Sequence, residues 1–121
     1  LIDCFYITIK LVLQQLILIK MSDFKILAKK IIDDIFLLVE KKFNHFEVDY
    51  EGDNLVIEIA EQNMVFIISI HEPSSQIWLS SPLSGAHHYE KDKDNSFIWT
   101  STRDSKNNLH DLLERELSSL K

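Results

Sequence analysis

From Phe24 onward, apolar residues return at helical spacing. Leu27, Ala28, Ile31, Ile35, Leu38 and Val39 fall on one side of a helix. Ser22 or Asp23 stands where a side chain can accept bonds from the first N–H groups. The pattern predicts a helix from about Phe24 to about Phe43. Asp33 and Glu40, seven positions apart, share nearly one outer line of it.

After Phe43 the period falls to two. Val48 and Tyr50 alternate with Glu47, Asp49 and Glu51, and the residues GDN at 52–54 signal a turn. Leu55, Ile57 and Ile59 alternate with Val56, Glu58 and Ala60, and EQN turns the chain again. Met64, Phe66, Ile68 and Ile70 line the core side of a third strand, which EPSS ends. Ile77 and Leu79 mark a fourth strand, SPLSG a turn, and residues His87 to Glu90 a short fifth. KDKDN reads as a polar loop and SFIWTS as the last strand. Connections this short predict an antiparallel meander. Leu109, Leu112, Leu113, Leu117 and Leu120 then form the apolar stripe of a closing helix.

Helix, strands, helix is an α+β order. It predicts a two-layer sandwich, with two helices packed on one face of an antiparallel sheet of about five to six strands, the other face in water. In QIWLSS, Trp78 shares its side with Gln76 and Ser80, opposite Ile77 and Leu79. The tryptophan therefore belongs to the wet face. It is either packed against its sheet neighbours or an anchor for a protein partner.

The first twenty residues, LIDCFYITIKLVLQQLILIK, have membrane-like apolarity but contain Asp3, Lys10, Gln14 and Gln15. They lack the basic start and small-residue cleavage site of a signal peptide, and the Arg and Ser of a transit peptide. The expectation is that residues 1–20 are upstream sequence of no function, with Met21 the natural start and 21–121 one domain. A membrane-associating or β-forming extension is the competing reading.

With 121 residues, 45% of them hydrophobic and only 2 Gly and 2 Pro, the chain suits a single globular domain without long linkers. The one cysteine, Cys4, cannot form an internal disulfide, which points to a reducing compartment. Net charge is −6, unevenly spread. From Asn44 to Glu90 there is no Lys or Arg, against eight carboxylates: Glu47, Asp49, Glu51, Asp53, Glu58, Glu61, Glu72 and Glu90. Such a section repels phosphate, which favours a cationic partner or metal ion over nucleic acid, while a merely solvated acidic face is the commoner meaning of such a charge run.

No Cys/His spacing for zinc is present, and adjacent His87 and His88 point to opposite faces of a strand. No G-x-S-x-G elbow surrounds Ser80, Ser81 or Ser84, and no phosphate loop or dinucleotide fingerprint occurs. The carboxylates say more. Glu47, Asp49 and Glu51 share a strand face, with Asp53 in the next turn. Neighbours lie about 6.7 Å apart, too wide to cage one ion at about 2.0–2.6 Å. They form a strip that attracts hard cations weakly at several places, each pair repelling by about 0.6 kcal/mol in water. Asp33 and Glu40 extend the strip, and Lys29, Lys30, Lys41 and Lys42 interrupt it.

The stretch QIWLSSPLSG followed by Tyr89, with LHDLLEREL as a second helix and a helix leading into an acidic strand, resembles the frataxin family in its bacterial CyaY-type form. The resemblance runs from about Ser22 to Leu120. It implies the same sandwich, and weak binding of iron, Fe²⁺ or Fe³⁺, on an acidic edge matched here by Glu40, Glu47, Asp49 and Glu51, with Asp33 and Asp53 beside them. It implies that the sheet surface docks on a cysteine desulfurase and scaffold complex that builds iron–sulfur clusters. Trp78 is then the anchor, flanked by Gln76 and Ser80, with His88 just before the signature tyrosine.

This chain departs from the family pattern at several places. Lys29, Lys30, Lys41 and Lys42 stand where acids are common, His88 where a basic residue is frequent, and Ser69 where an amide is common. Phe97 stands where tryptophan is usual, with Trp99 expected two residues on along the same strand face. The resulting expectation is a monomeric iron-associating regulator in the bacterial cytoplasm rather than the mitochondrial matrix, bound neither to nucleic acid nor to membrane. Ferroxidase chemistry on the acidic edge and a metal-independent acidic interaction module are the alternatives.

Overall fold

The computed structural model describes residues 2–95 and 97–120, with side chains described for 6–16, 23–95 and 97–120. Helix α1 (Ile2–Lys42) leads into strands β1 (Glu47–Glu51), β2 (Asn54–Ile59), β3 (Met64–His71), β4 (Gln76–Ser81), β5 (Gly85–Lys91) and β6 (Trp99–Ser101). Helix α2 (Leu109–Ser119) follows. Each strand pairs antiparallel with the next, in the sheet order β1-β2-β3-β4-β5-β6. The links are too short for any crossover, so chain order and sheet order coincide. This is the two-layer α+β arrangement that the periodicity predicts.

Turn chemistry fits the links. Gly52 takes φ +63° between β1 and β2, a region that costs glycine nothing. Single turns of 3-10 helix follow β2 and β3, and each ends on a left-handed residue, Asn63 at φ +54° and Ser75 at φ +53°. Asn108 caps α2: its side chain accepts the Asp111 N–H at 3.0 Å and donates to the Asp111 carboxylate at 2.9 Å.

One face of the sheet is sealed. Ile57, Phe66, Ile68, Ile77, Leu79, Tyr89 and Trp99 pack beneath Ala28, Ile31, Ile35 and Val39 of α1 and Leu109, Leu112, Leu113 and Leu117 of α2. Helix α1 contacts β1 and β3, and α2 contacts β6. Lys42 pairs with Glu114 to join the two helices. Two polar groups sit inside this layer. Ser81 donates to Glu116 at 2.5 Å and accepts the N–H groups of Leu83 and Ser84, so one hydroxyl fixes both the β4–β5 turn and the burial of a carboxylate. The Trp99 indole N–H is buried without a partner among the described residues.

Two expectations need correction. The first helix does not begin at Phe24: α1 already runs through Ile2, and Asp23 is an interior residue rather than a cap. No Gly or Pro interrupts residues 1–42, so nothing stops the helix. A capping residue caps only where the preceding chain leaves helical geometry. The same helical assignment replaces the β-forming extension. The side chains of Cys4 and Ser22 lie outside those described. From Tyr6 through Leu16 the described residues of α1 are exposed.

The last strand is the second correction, because it spans only Trp99–Ser101. The Phe97 N–H turns back to Asn95 Oδ1 at 2.9 Å and the Ile98 N–H to the Asn95 carbonyl at 3.2 Å. Phe97 is thus 59% exposed while Trp99 is 1% exposed, and the two do not share a strand face.

Truncating the core should be costly. Leu113→Ala removes a fully buried side chain where both layers meet. The expected loss is about 2–5 kcal/mol in urea denaturation, against under about 0.5 kcal/mol for Ile26→Ala on the exposed side of α1.

Candidate functional site

Register places the open face residue by residue. One cross-sheet row runs Glu51, Asn54, Ser69, Trp78, His88, and the next runs Asp49, Val56, Ile67, Ser80, Ala86. Glu47 pairs with Glu58, and His71, Gln76 and Glu90 form a further row. Glu47, Asp49, Glu51 and Trp78 therefore point to the same side. The carboxylates of β1 and the indole of β4 are three strand spacings apart, about 14 Å. The open-face positions of β1–β5 carry five carboxylates, those of Glu47, Asp49, Glu51, Glu58 and Glu90, and no Lys or Arg.

Trp78 is half-buried, although it lies on the wet face. His71 stacks on the indole at 3.8 Å between centroids, and His88 stacks at 4.4 Å, each inclined 15° to it. The indole N–H donates to Gln76 Oε1 at 2.8 Å, and Gln76 Nε2 donates to Glu90 Oε1 at 3.1 Å. His71 Nδ1 is bonded to Ser74 Oγ at 2.6 Å. Beside the ring lies a depression of about 170 Å³ between Ile67, Ser69, Ser80, Ala86 and His88.

The six carboxylates singled out by sequence divide into two groups. Glu47, Asp49 and Glu51 face outward from edge strand β1. Asp33 lies on the helix side of that strand, where it accepts the Tyr50 hydroxyl at 2.5 Å while Phe36 stacks on the Tyr50 ring at 5.0 Å. Asp33 and Asp53 line a cavity of about 420 Å³ with Lys25, Lys29 and Tyr50. Glu40 is exposed on α1 and acts on Tyr50 through its charge. Among the described residues, no three His, Cys, Asp or Glu side chains converge into a set that could hold a metal ion. The β1 row offers separate single-carboxylate contacts, suited to a hydrated cation as cargo rather than to a resident ion.

Three site residues escaped the sequence reading. Glu58 was visible in the period of β2, but its pairing with Glu47 depends on register. His71 and Glu90 reach Trp78 and Gln76 only through strand pairing. His87 and His88 do face opposite sides: His87 meets Ser84 Oγ at 2.7 Å through Nε2 and Asn107 Nδ2 at 3.4 Å through Nδ1. That serine, histidine and amide line up, but an amide N–H donated to Nδ1 leaves the proton on Nε2. His87 then donates to Ser84 and is no base for it.

Two phenols are shifted. Tyr50, although 41% exposed, is pushed up to about 12 by partial loss of water around the phenol, then by the hydrogen bond to Asp33 and the charges of Asp33 and Glu40. Tyr89 is also pushed up to about 12, chiefly by burial. An acid with a raised folded pKa favours the fold fully below its unfolded value, near 10, and loses that contribution as pH climbs through the folded value. The melting temperature should therefore fall between pH 10 and about 12. Tyr50→Phe should flatten part of that decline while a titration at 295 nm loses one late-ionising phenol.

Comparison with known proteins agrees with this architecture. The frataxin-like domain matches residues 18–120, and the chain belongs to that family. A mitochondrial frataxin-like protein of Leishmania donovani is 34% identical over 102 residues, covering 73% of this chain and 51% of its own length. The iron–sulfur cluster assembly protein CyaY of Buchnera aphidicola is 33% identical over 82 residues, covering 64% of this chain and 67% of its own. The chain thus spans about half the length of the Leishmania relative and 38% of the mitochondrial frataxin of Arabidopsis thaliana. Among solved structures, frataxin from Psychromonas ingrahamii superposes with a TM-score of 0.72 at 24% identity, covering 84% of this chain and 90% of its own. A trimeric frataxin of Saccharomyces cerevisiae, in a ferrous complex, gives 0.66 at 24% identity over 77% of this chain and 83% of its own. Among the described residues no helix is long and apolar enough to cross a membrane.

Proposed function

We propose that this chain serves iron–sulfur cluster assembly as a monomeric iron-associating regulator in the bacterial cytoplasm. In this reading its open face docks on a cysteine desulfurase and scaffold complex. Family membership and the cluster-assembly role named for the Buchnera relative support it. The observation that carries it is the joint placement of the β1 carboxylates and Trp78 on one uncovered face whose β1–β5 positions carry no Lys or Arg. Such a face attracts a basic protein surface from a distance and offers an aromatic anchor on contact.

Iron is cargo in this reading. Hard carboxylate oxygens of Glu47, Asp49 and Glu51 take Fe²⁺ or Fe³⁺ in a largely hydrated state, with Asp33, Glu40 and Asp53 around the strand edge adding attraction. Glu58, directly across from Glu47, adds a fourth outward carboxylate, and the repulsion between that pair is relieved when a cation arrives. Lys25 and Lys29 beside Asp33 and Asp53 weaken the helix side of the edge, so iron contact centres on the strand.

Trp78→Ala should weaken binding to the desulfurase–scaffold complex at least tenfold in isothermal titration, with the circular dichroism spectrum retained and the melting temperature lowered only by the loss of the two imidazole stacks. Equal affinity would remove Trp78 from the interface. Anaerobic Fe²⁺ titration followed by two-dimensional NMR should broaden amide signals of residues 47–51 and Glu58 first, and charge reversal at Asp49 and Glu51 should abolish that broadening. First broadening around His71 and His88 would refute the carboxylate assignment.

A further inference from the structure

An exposed tryptophan ordinarily offers the flat of its ring. In this chain both flats are occupied, by His71 at 3.8 Å and His88 at 4.4 Å. The N–H border is occupied as well, since it points back along β4 and donates to Gln76. What is left open lies forward along the strand, beside Ser80, where small side chains leave the 170 Å³ depression. Ser69, Ser80 and Ala86 are its small members, Ile67 and Trp78 its apolar walls. The volume is close to the roughly 150 Å³ of an apolar cavity that takes up benzene, room for one apolar side chain and not for a stacked ring pair.

We infer that the partner docks by inserting a single apolar side chain beside the edge of Trp78, and not by stacking on the indole. The inference rests on the docking role proposed above and specifies its contact. Charge identifies what flanks the inserted side chain. Asp49 begins the row that ends in Ser80 and Ala86, and Glu51 begins the row of Trp78. These carboxylates lie about 10–14 Å to one side of the depression. The partner segment therefore carries an apolar side chain with Lys or Arg displaced by that distance toward β1. His71 and His88 act as positioning residues: they hold the ring upright as a wall of the depression.

The test is isothermal titration of the desulfurase–scaffold complex with three forms of the full chain. Ala86 is exposed on the open face, so Ala86→Leu fills the depression without touching the core. It should cost at least tenfold in affinity, with unchanged circular dichroism and melting. Ser80→Leu, filling from β4, should do the same. His88→Ala bares one flat of the indole and removes a wall of the depression, so insertion predicts weaker binding and stacking predicts equal or tighter binding. Wild-type affinity in either Ala86→Leu or Ser80→Leu, or equal or tighter binding by His88→Ala, overturns the insertion mode while leaving the docking role intact. Failure of the wild-type chain to bind at all removes the docking role, and the insertion mode with it.

Discussion

Everything on the outer surface of this molecule is set by the layer beneath it. Ile57, Phe66, Ile68, Ile77 and Leu79 must lie under the helices, and side chains on a strand alternate without exception. Sliding any strand by one residue would drive its outward set into the core. Trp78 would displace Leu79, and the charges of β1 would meet Phe36 and the apolar face of α1. The burial of aliphatic side chains, which knows nothing of iron or partners, is what aligns carboxylates and indole on one side. Ser81 reinforces the alignment, since its hydroxyl bonds the turn after β4 and the buried Glu116 together.

The edge strand shows what such a frame leaves open. β1 covers little of the core, and its outward carboxylates stand near one another and opposite Glu58. Each such neighbour costs a few tenths of a kcal/mol, about the scale of cross-strand pairs. Tyr50 offsets some of this on the other side of the strand, stacked on Phe36 and bonded to Asp33. One strand thus has a side that holds it to α1 and a side that leaves its carboxylates in solvent.

Much of this was legible in the sequence because period two needs no knowledge of the fold. Ile77 and Leu79 against Gln76, Trp78 and Ser80 gave the facing of β4, and the leucine stripe gave α2. What failed depended on context. Ser22 and Asp23 looked like caps, but a helix with no breaker before them runs on. Phe97 and Trp99 looked like strand neighbours, but Asn95 folds Phe97 outward before the strand begins. The division of Asp33 and Glu40 from Glu47, Asp49 and Glu51 required knowing which side of β1 meets the helix. His71 was invisible as a neighbour of Trp78, since a turn containing Pro73 and left-handed Ser75 sets the pairing that brings them together.

The imidazoles around Trp78 have a thermodynamic consequence. A surface side chain usually surrenders rotational freedom when a complex forms, at about 0.5–1.5 kcal/mol each. An indole already wedged between two rings and tethered through Gln76 has surrendered most of it during folding. Under the proposed docking role, recognition at this surface would be preorganised, and that gain should appear as slow dissociation rather than as faster encounter.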